Sequence, residues 1–175
     1  QMKLNLGCGN DRREGYVNVD CAKLPGVDKI CDLNALPLPF ESDSCEEILC
    51  KDVLEHLESF PAIMYDLHRI LKKGGVLKIV VPHFSSGDAY SDPTHRNFFA
   101  AKTFGFFVSG HERCYYGDSA FSQLRKLRIT FAIGGHSIPP LEWIFNFNGK
   151  MQVLYDYTFL SRLFPAAGIC AELVK

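Results

Sequence analysis

The stretch Leu4-Asn5-Leu6-Gly7-Cys8-Gly9-Asn10 decides how the rest of the chain is read. A short apolar run ends abruptly in two glycines, the pattern of a strand running into a tight turn. Glycine lets a ligand approach the backbone closely, and the exposed N–H groups of such a turn can hold a carboxylate or a phosphate. G-x-G alone is common in tight turns, so its meaning depends on the segments after it.

Those segments are a series of strands with short links. Residues 16–20, 28–31 and 47–50 read as strands two, three and four. Residues 59–72 carry apolar side chains at helical spacing, with Gly74-Gly75 as the expected stop. Residues 76–81 form a nearly continuous apolar strand, the pattern expected of a parallel strand buried on both faces. Strands alternating with crossovers predict a mostly parallel α/β sheet. The first two crossovers are too short for full helices, so turns are expected there. Residues 83–126 break the rhythm: they are rich in Phe, Tyr, His, Gly and Ser, and they read as a lid-like insertion within one domain spanning residues 1–175. Residues 127–133 and Gly168–Val174 are expected strands, 134–149 a loop and 155–164 a helix.

Position adds information to the glycine turn. Asp20 ends the second strand, where a carboxylate can accept from two vicinal ribose hydroxyls. Asp32 and Leu33 come after the third strand and suit an adenine, the acid accepting from the exocyclic amine and a backbone N–H donating to the ring. A glycine turn and two acids at three successive strand ends make a line across the carboxyl edge, where open α/β sheets bind ligands.

These residues carry a resemblance. Residues 4–9, Val17-Asn18-Val19-Asp20, Cys31-Asp32-Leu33, Pro37-Leu38-Pro39-Phe40, Asp52-Val53-Leu54-Glu55-His56-Leu57 and residues 67–75 resemble, in this order, the class I methyltransferases, most closely the methyltransferase type 11 group. The resemblance implies a Rossmann-like fold with a seven-stranded, mostly parallel sheet. It implies S-adenosylmethionine as cofactor, held by Asn5, Gly7, Cys8, Gly9, Asp20, Asp32, Leu33 and Lys51. The chain differs from the group at three points: Asn5 stands where many relatives carry an acid, Asn10-Asp11 replaces a third glycine, and the first crossover lacks a helix. A nicotinamide dinucleotide fits worse, because Arg12 occupies the third glycine position of that fingerprint and no helix N-terminus is available for the pyrophosphate.

Methyl transfer needs an aligned nucleophile and, for an oxygen acceptor, a base. His95, in the polar knot Asp92-Pro93-Thr94-His95-Arg96-Asn97, and His83, directly after strand five, are the candidate catalytic residues. His56 reads as structural, bridging to the glycine loop. The phenylalanines after the knot either dock the insertion or wall an apolar acceptor pocket. A metal site built from His83, Asp92, His95, His111 and Cys114 matches no recurring ligand spacing, so no metal is expected.

Composition narrows the partners. A formal net charge of −1 disfavours a nucleic-acid partner, and Arg125, Lys126 and Arg128 read as a solvated edge. No apolar run reaches the length of a membrane span, and the chain opens on a strand without a visible leader. Seven cysteines, an odd number at irregular spacing, fit a reduced, cytoplasmic protein. The expected function is methyl transfer to a small-molecule or glycan-type acceptor; the alternative is a non-catalytic nucleotide-binding or regulatory domain of the same fold.

Overall fold

The computed structural model describes residues 2–110 and 121–175. Its sheet has seven strands: β1 (Met2–Leu6), β2 (Val17–Asp20), β3 (Lys29–Ile30), β4 (Cys45–Lys51), β5 (Leu71–Pro82), β6 (Gln123–Thr130) and β9 (Gly168–Val174). Two further short strands, β7 (Ala132–Ile133) and β8 (His136–Ser137), pair as a separate hairpin. The sheet order is β3-β2-β1-β4-β5-β9-β6. The first five strands run parallel, and β9 lies antiparallel between β5 and β6.

The helices are α1 (Phe60–Ile70), α2 (Asp88–Ser91), α3 (Pro139–Phe145), α4 (Gly149–Tyr157) and α5 (Leu160–Leu163). Two 3-10 segments, Leu54–His56 and Ala101–Phe107, complete the described elements. α1 sets Phe60, Ile63, Met64, Leu67 and Ile70 on one buried stripe, packed over Leu4, Leu6, Ile48 and Leu77 of the sheet. A second cluster gathers Ile129, Phe131, Phe145, Tyr155 and Ala166 on the β6 side.

The opposite face of the parallel strands is only partly covered, although Asn5, Asn18 and Leu49 are buried on it. β5 alternates: Leu77, Ile79 and Val81 are at most 1% exposed, whereas Val76, Lys78 and Val80 are not fully covered. The expectation that β5 is buried on both faces is therefore corrected. The cause lies in the links 7–16 and 21–28, which contain no helix. Right-handed crossovers place these links on the face opposite α1, and that face is left to polar side chains. Lys3, Glu47, Lys78, Glu172 and Lys126 succeed one another across it in strand register or ion pairing, with Lys78 2.8 Å from Glu47. Tyr16 hydrogen-bonds to Glu47 on the same face.

Several boundaries move. α1 ends at Ile70, before Gly74-Gly75; Gly74 instead takes a positive φ of 79° within the irregular start of β5. The residues expected as a 134–149 loop contain α3, because Pro139 and Pro140 occupy the first helical turn, where a missing N–H costs nothing. The helix expected over 155–164 is two helices, α4 and α5, separated at Thr158. β6 starts at Gln123, which ends the insertion earlier than 126, and it stops at Thr130. The insertion is anchored by aromatic packing. Phe99, Phe104 and Phe107 are buried, and their rings lie 5.1, 6.3 and 5.2 Å from that of Phe60 on α1. These phenylalanines dock the segment on the core.

Candidate functional site

The turn after β1 is shaped by what touches it. Gly7 has φ +67°, and a Cβ there would come 2.3 Å from Val53 Cγ2, so only glycine fits. Gly9, at φ +47°, faces open space. Its N–H donates to Asp20 Oδ2 at 2.8 Å, while Asp20 Oδ1 accepts from Ala22 N at 2.9 Å. Asp20 thus ties the glycine turn to the end of β2 and still has lone pairs to offer. Asp32 is exposed, with Oδ1 accepting from Asn34 N at 2.9 Å, and the Leu33 side chain is buried in the core.

Asn5, where the resemblance leads one to expect an acid, is buried, and its position explains what it does. Its Nδ2 donates to Asp11 O at 2.7 Å and to Asn18 Oδ1 at 3.0 Å. Asn18 in turn accepts from Arg13 N and is held by Asp28. An amide network thus fixes a loop that lacks a helix. A cleft of about 190 Å³ opens beside it, lined by Asn5, Gly7, Cys8, Asn10, Asp11, Lys51 and Asp52. Lys51 Nζ stands 2.9 Å from Asp11 Oδ2, and this contact holds the Asp11 carboxyl below the usual range. Asn5, Gly7, Cys8 and Lys51 therefore meet in one cleft; Gly9 and Asp20 adjoin it, and Asp32 and Leu33 lie at the next strand end.

A larger cavity of about 500 Å³ lies over the ends of β4 and β5. Its walls include Asp52, Glu55, His56, Val80, Asp88, Asp92, His95, Thr130 and Gly168. Asp52 lines both spaces, and it holds a left-handed φ of 51°, an uncommon conformation for a residue other than glycine. The polar knot of the insertion clasps the 3-10 turn. Arg96 N and Asn97 N both donate to Glu55 O, at 2.7 and 3.0 Å, and Asn97 Nδ2 donates to Leu54 O and Leu57 O. The His56 and His95 rings meet edge to face, with centroids 4.6 Å apart. Burial pushes the Glu55 carboxyl up to about 7 and lowers His56.

His95 therefore lines the cavity. His83 does not: it is 0% exposed and both ring nitrogens are committed. Nδ1 accepts from Ser85 N at 3.1 Å, so the proton is on Nε2, which faces Asp156 Oδ1 at 2.9 Å. This pairing fastens α4 to the end of β5 and leaves His83 no atom with which to reach an acceptor. His56 bridges to the insertion through Thr94, not to the glycine loop. His111 and Cys114 lie outside the described residues. Among the described residues the lining holds no aromatic side chain other than the imidazoles, and its apolar part is Val80, Val81, Pro82 and Ala167; Phe98, exposed, stacks on Tyr90 at 4.8 Å. Sequence reasoning passed over Asp52 and Glu55, although an acid, an acid and a histidine at positions i, i+3 and i+4 directly after a strand end were visible.

With this geometry in place, known proteins can be set beside it. A family model described as a methyltransferase domain matches residues 8–79. No curated protein matches the sequence significantly. Among solved structures, a SAM-dependent methyltransferase from Archaeoglobus fulgidus is similar over 100% of this chain and 86% of its own, at 15% identity and a TM-score of 0.65. The Haloferax volcanii complex of the Trm112 activator with a methyltransferase matches over 99% of this chain and 81% of the other, at 13% identity and a TM-score of 0.59. Phosphoethanolamine N-methyltransferase 2 of Haemonchus contortus, solved with S-adenosyl-L-methionine, matches over 100% of this chain and 48% of its own, at 14% identity and a TM-score of 0.62.

The strand order, the glycine turn and the acids at successive strand ends define the Rossmann-like fold of class I methyltransferases. The methyltransferase-domain match covers residues 8–79, less than half of the chain, and over the rest the likeness to these solved methyltransferases is one of fold. Among the described residues, no helix is long and apolar enough to cross a membrane.

Proposed function

We propose that this chain is an S-adenosylmethionine-dependent methyltransferase and that it acts on a hydroxyl of a small, polar acceptor of glycan type. The observation that carries the reading is the pair of adjoining spaces that share Asp52: a glycine-lined cleft suited to the cofactor, and a larger cavity lined by carboxylates and imidazoles together with Val80, Val81, Pro82 and Ala167. The carboxylates and imidazoles among them offer many hydrogen-bond acceptors to a hydroxyl-bearing molecule.

The cofactor, when bound, supplies a methyl group already activated on a sulfonium. The Gly7–Gly9 turn would hold its amino-acid end, Asp20 the ribose hydroxyls, and Asp32 with the Leu33 backbone the adenine. Asn5 positions the turn, and Lys51 balances Asp11 at its rim. The remaining task is alignment of the nucleophile, worth roughly 7–11 kcal/mol when complete. His95 is the residue placed to touch the acceptor, and His83 is a structural pin. The net charge of −1 and the free cysteines, four of them buried among the described residues, support a reduced, cytoplasmic setting and an acceptor other than nucleic acid.

The test has two parts. S-adenosylhomocysteine should raise the melting temperature and NAD should not, because only a ligand of the folded state stabilises it. Label from methyl-labelled cofactor should then appear on members of a panel of mono- and oligosaccharides and not on peptides or RNA; transfer confined to peptides or RNA would refute the acceptor class.

A further inference from the structure

Glu55, His56 and His95 place one ligand-type atom each within 4.8 Å of one another, at the wall of the larger cavity. Folding alone does not explain this neighbourhood. Glu55 is 1% exposed, yet its Oε2 makes no hydrogen bond. A buried carboxylate oxygen without a partner is costly, and native proteins rarely leave one so.

The two histidines point to what fills the gap. The Thr94 hydroxyl donates its only proton to Asp92 Oδ1, at 2.6 Å. Its 2.8 Å contact with His56 Nδ1 must therefore be donated by His56, which leaves the lone pair on Nε2. His95 Nδ1 lies 3.1 Å from the Ala89 carbonyl oxygen, which can only accept, so its lone pair is also on Nε2. Fixing one ring N–H on a protein oxygen, with the other nitrogen left open, is how metal-binding histidines are oriented.

We propose that Glu55, His56 and His95 bind one divalent transition-metal ion. Two imidazoles and a carboxylate suit Mn²⁺, Fe²⁺, Co²⁺ or Zn²⁺. Bonds of about 2.1 Å would draw the three side chains together by small rotations. The surroundings favour a cation: Asp52, Asp88 and Asp92 also line the cavity, and among the described residues no lysine or arginine does. Three protein ligands leave positions open on the cavity side, where the acceptor's oxygens would bind. That last role rests on the methyl-transfer reading above; the ion site itself does not. The donor set differs from the one the insertion alone suggests, since two of the three ligands come from the turn after β4.

Protein stripped with EDTA and dialysed metal-free should be titrated with Mn²⁺, with the free ion followed by electron paramagnetic resonance. One equivalent per chain is expected to bind. Glu55→Gln and His95→Asn should each weaken binding at least tenfold, His56→Gln likewise, and the exposed neighbour Glu58→Gln should not. Circular dichroism melts identify any variant that fails to fold, and the incompletely buried His56 provides a variant that spares the core. Absence of saturable binding to the wild-type protein, or equal affinity in all folded variants, overturns the site. S-adenosylhomocysteine binding measured in EDTA is the independent arm: its binding without Mn²⁺ binding sinks only the metal site, and the reverse sinks only the methyltransferase reading.

Discussion

The two halves of the sheet's carboxyl edge are held by different balances of polar bonds and apolar packing. At the cofactor half, the loops after β1 and β2 are short and carry no helix, and they are fixed by side-chain amides and carboxylates bonded to backbone: Asn5 to Asp11, Asn18 to Arg13, Asp20 to Gly9. At the half over β4 and β5, a long segment returns and is fixed both by phenylalanines sunk into the core beside Phe60 and by Asn97 bonded to Leu54 O and Leu57 O. Polar bonds set a backbone to within tenths of an ångström but contribute modest net stability each. Apolar anchors contribute more and constrain less finely. The half around the glycine turn relies chiefly on the first, and the half over β4 and β5 on both.

Substitutions can break that contrast, beginning with the largest effect. Phe99→Ala should lower folding stability by about 3–5 kcal/mol, the cost of emptying a large aromatic site, in denaturant unfolding. S-adenosylhomocysteine affinity of the folded fraction should be unchanged, because Phe99 anchors only the half over β4 and β5. If affinity falls with stability, the halves are not independent.

Asp20→Ala should do the reverse. Calorimetry should show S-adenosylhomocysteine binding weakened by about 1.5–3 kcal/mol, the scale of hydrogen bonds to a charged group. Unchanged affinity in a folded variant would move the ribose contact away from β2.

Asn5→Ala removes two donors from the loop network and should cost about 1–2 kcal/mol of stability, with hydrogen exchange rising in residues 8–13 ahead of the rest. Uniform exchange would show that the network does not act locally. The smallest expected effect is that of His95→Ala on the cofactor: S-adenosylhomocysteine affinity should stay within about 0.5 kcal/mol, while turnover on a true acceptor falls. Full turnover would remove His95 from the acceptor site.

The same contrast explains what could be read from the sequence. Gly7, Gly9, Asp20 and Asp32 could be placed at successive strand ends because turn chemistry is local and strand ends recur in order. The helix-free first crossovers were legible from their length. The half over β4 and β5 was legible only in part. His95 could be singled out, but its meeting with Glu55 and His56 depends on a contact between segments some forty positions apart, which no local pattern encodes. His83 looked available because it comes directly after a strand end; its burial comes from α4, which places Asp156 against it. The incompletely covered face of β5 was missed for a related reason. An apolar run shows what could be covered, and only the neighbouring crossovers decide whether it is.

The ends of the sheet carry a consequence for solubility. An open sheet offers unpaired backbone at both margins, and such margins recruit other chains into extended stacks. Here β3 is two residues long, too brief to template a partner strand. At the far margin β6 bears Arg125, Lys126 and Arg128, with Arg125 and Lys126 paired to Glu172 and Arg128 to Glu142. A second copy docking edge to edge there would bring like charges together and disrupt those pairs. One margin is guarded by brevity and the other by charge, so a sheet with one polar, lightly covered face is protected from stacking into aggregates.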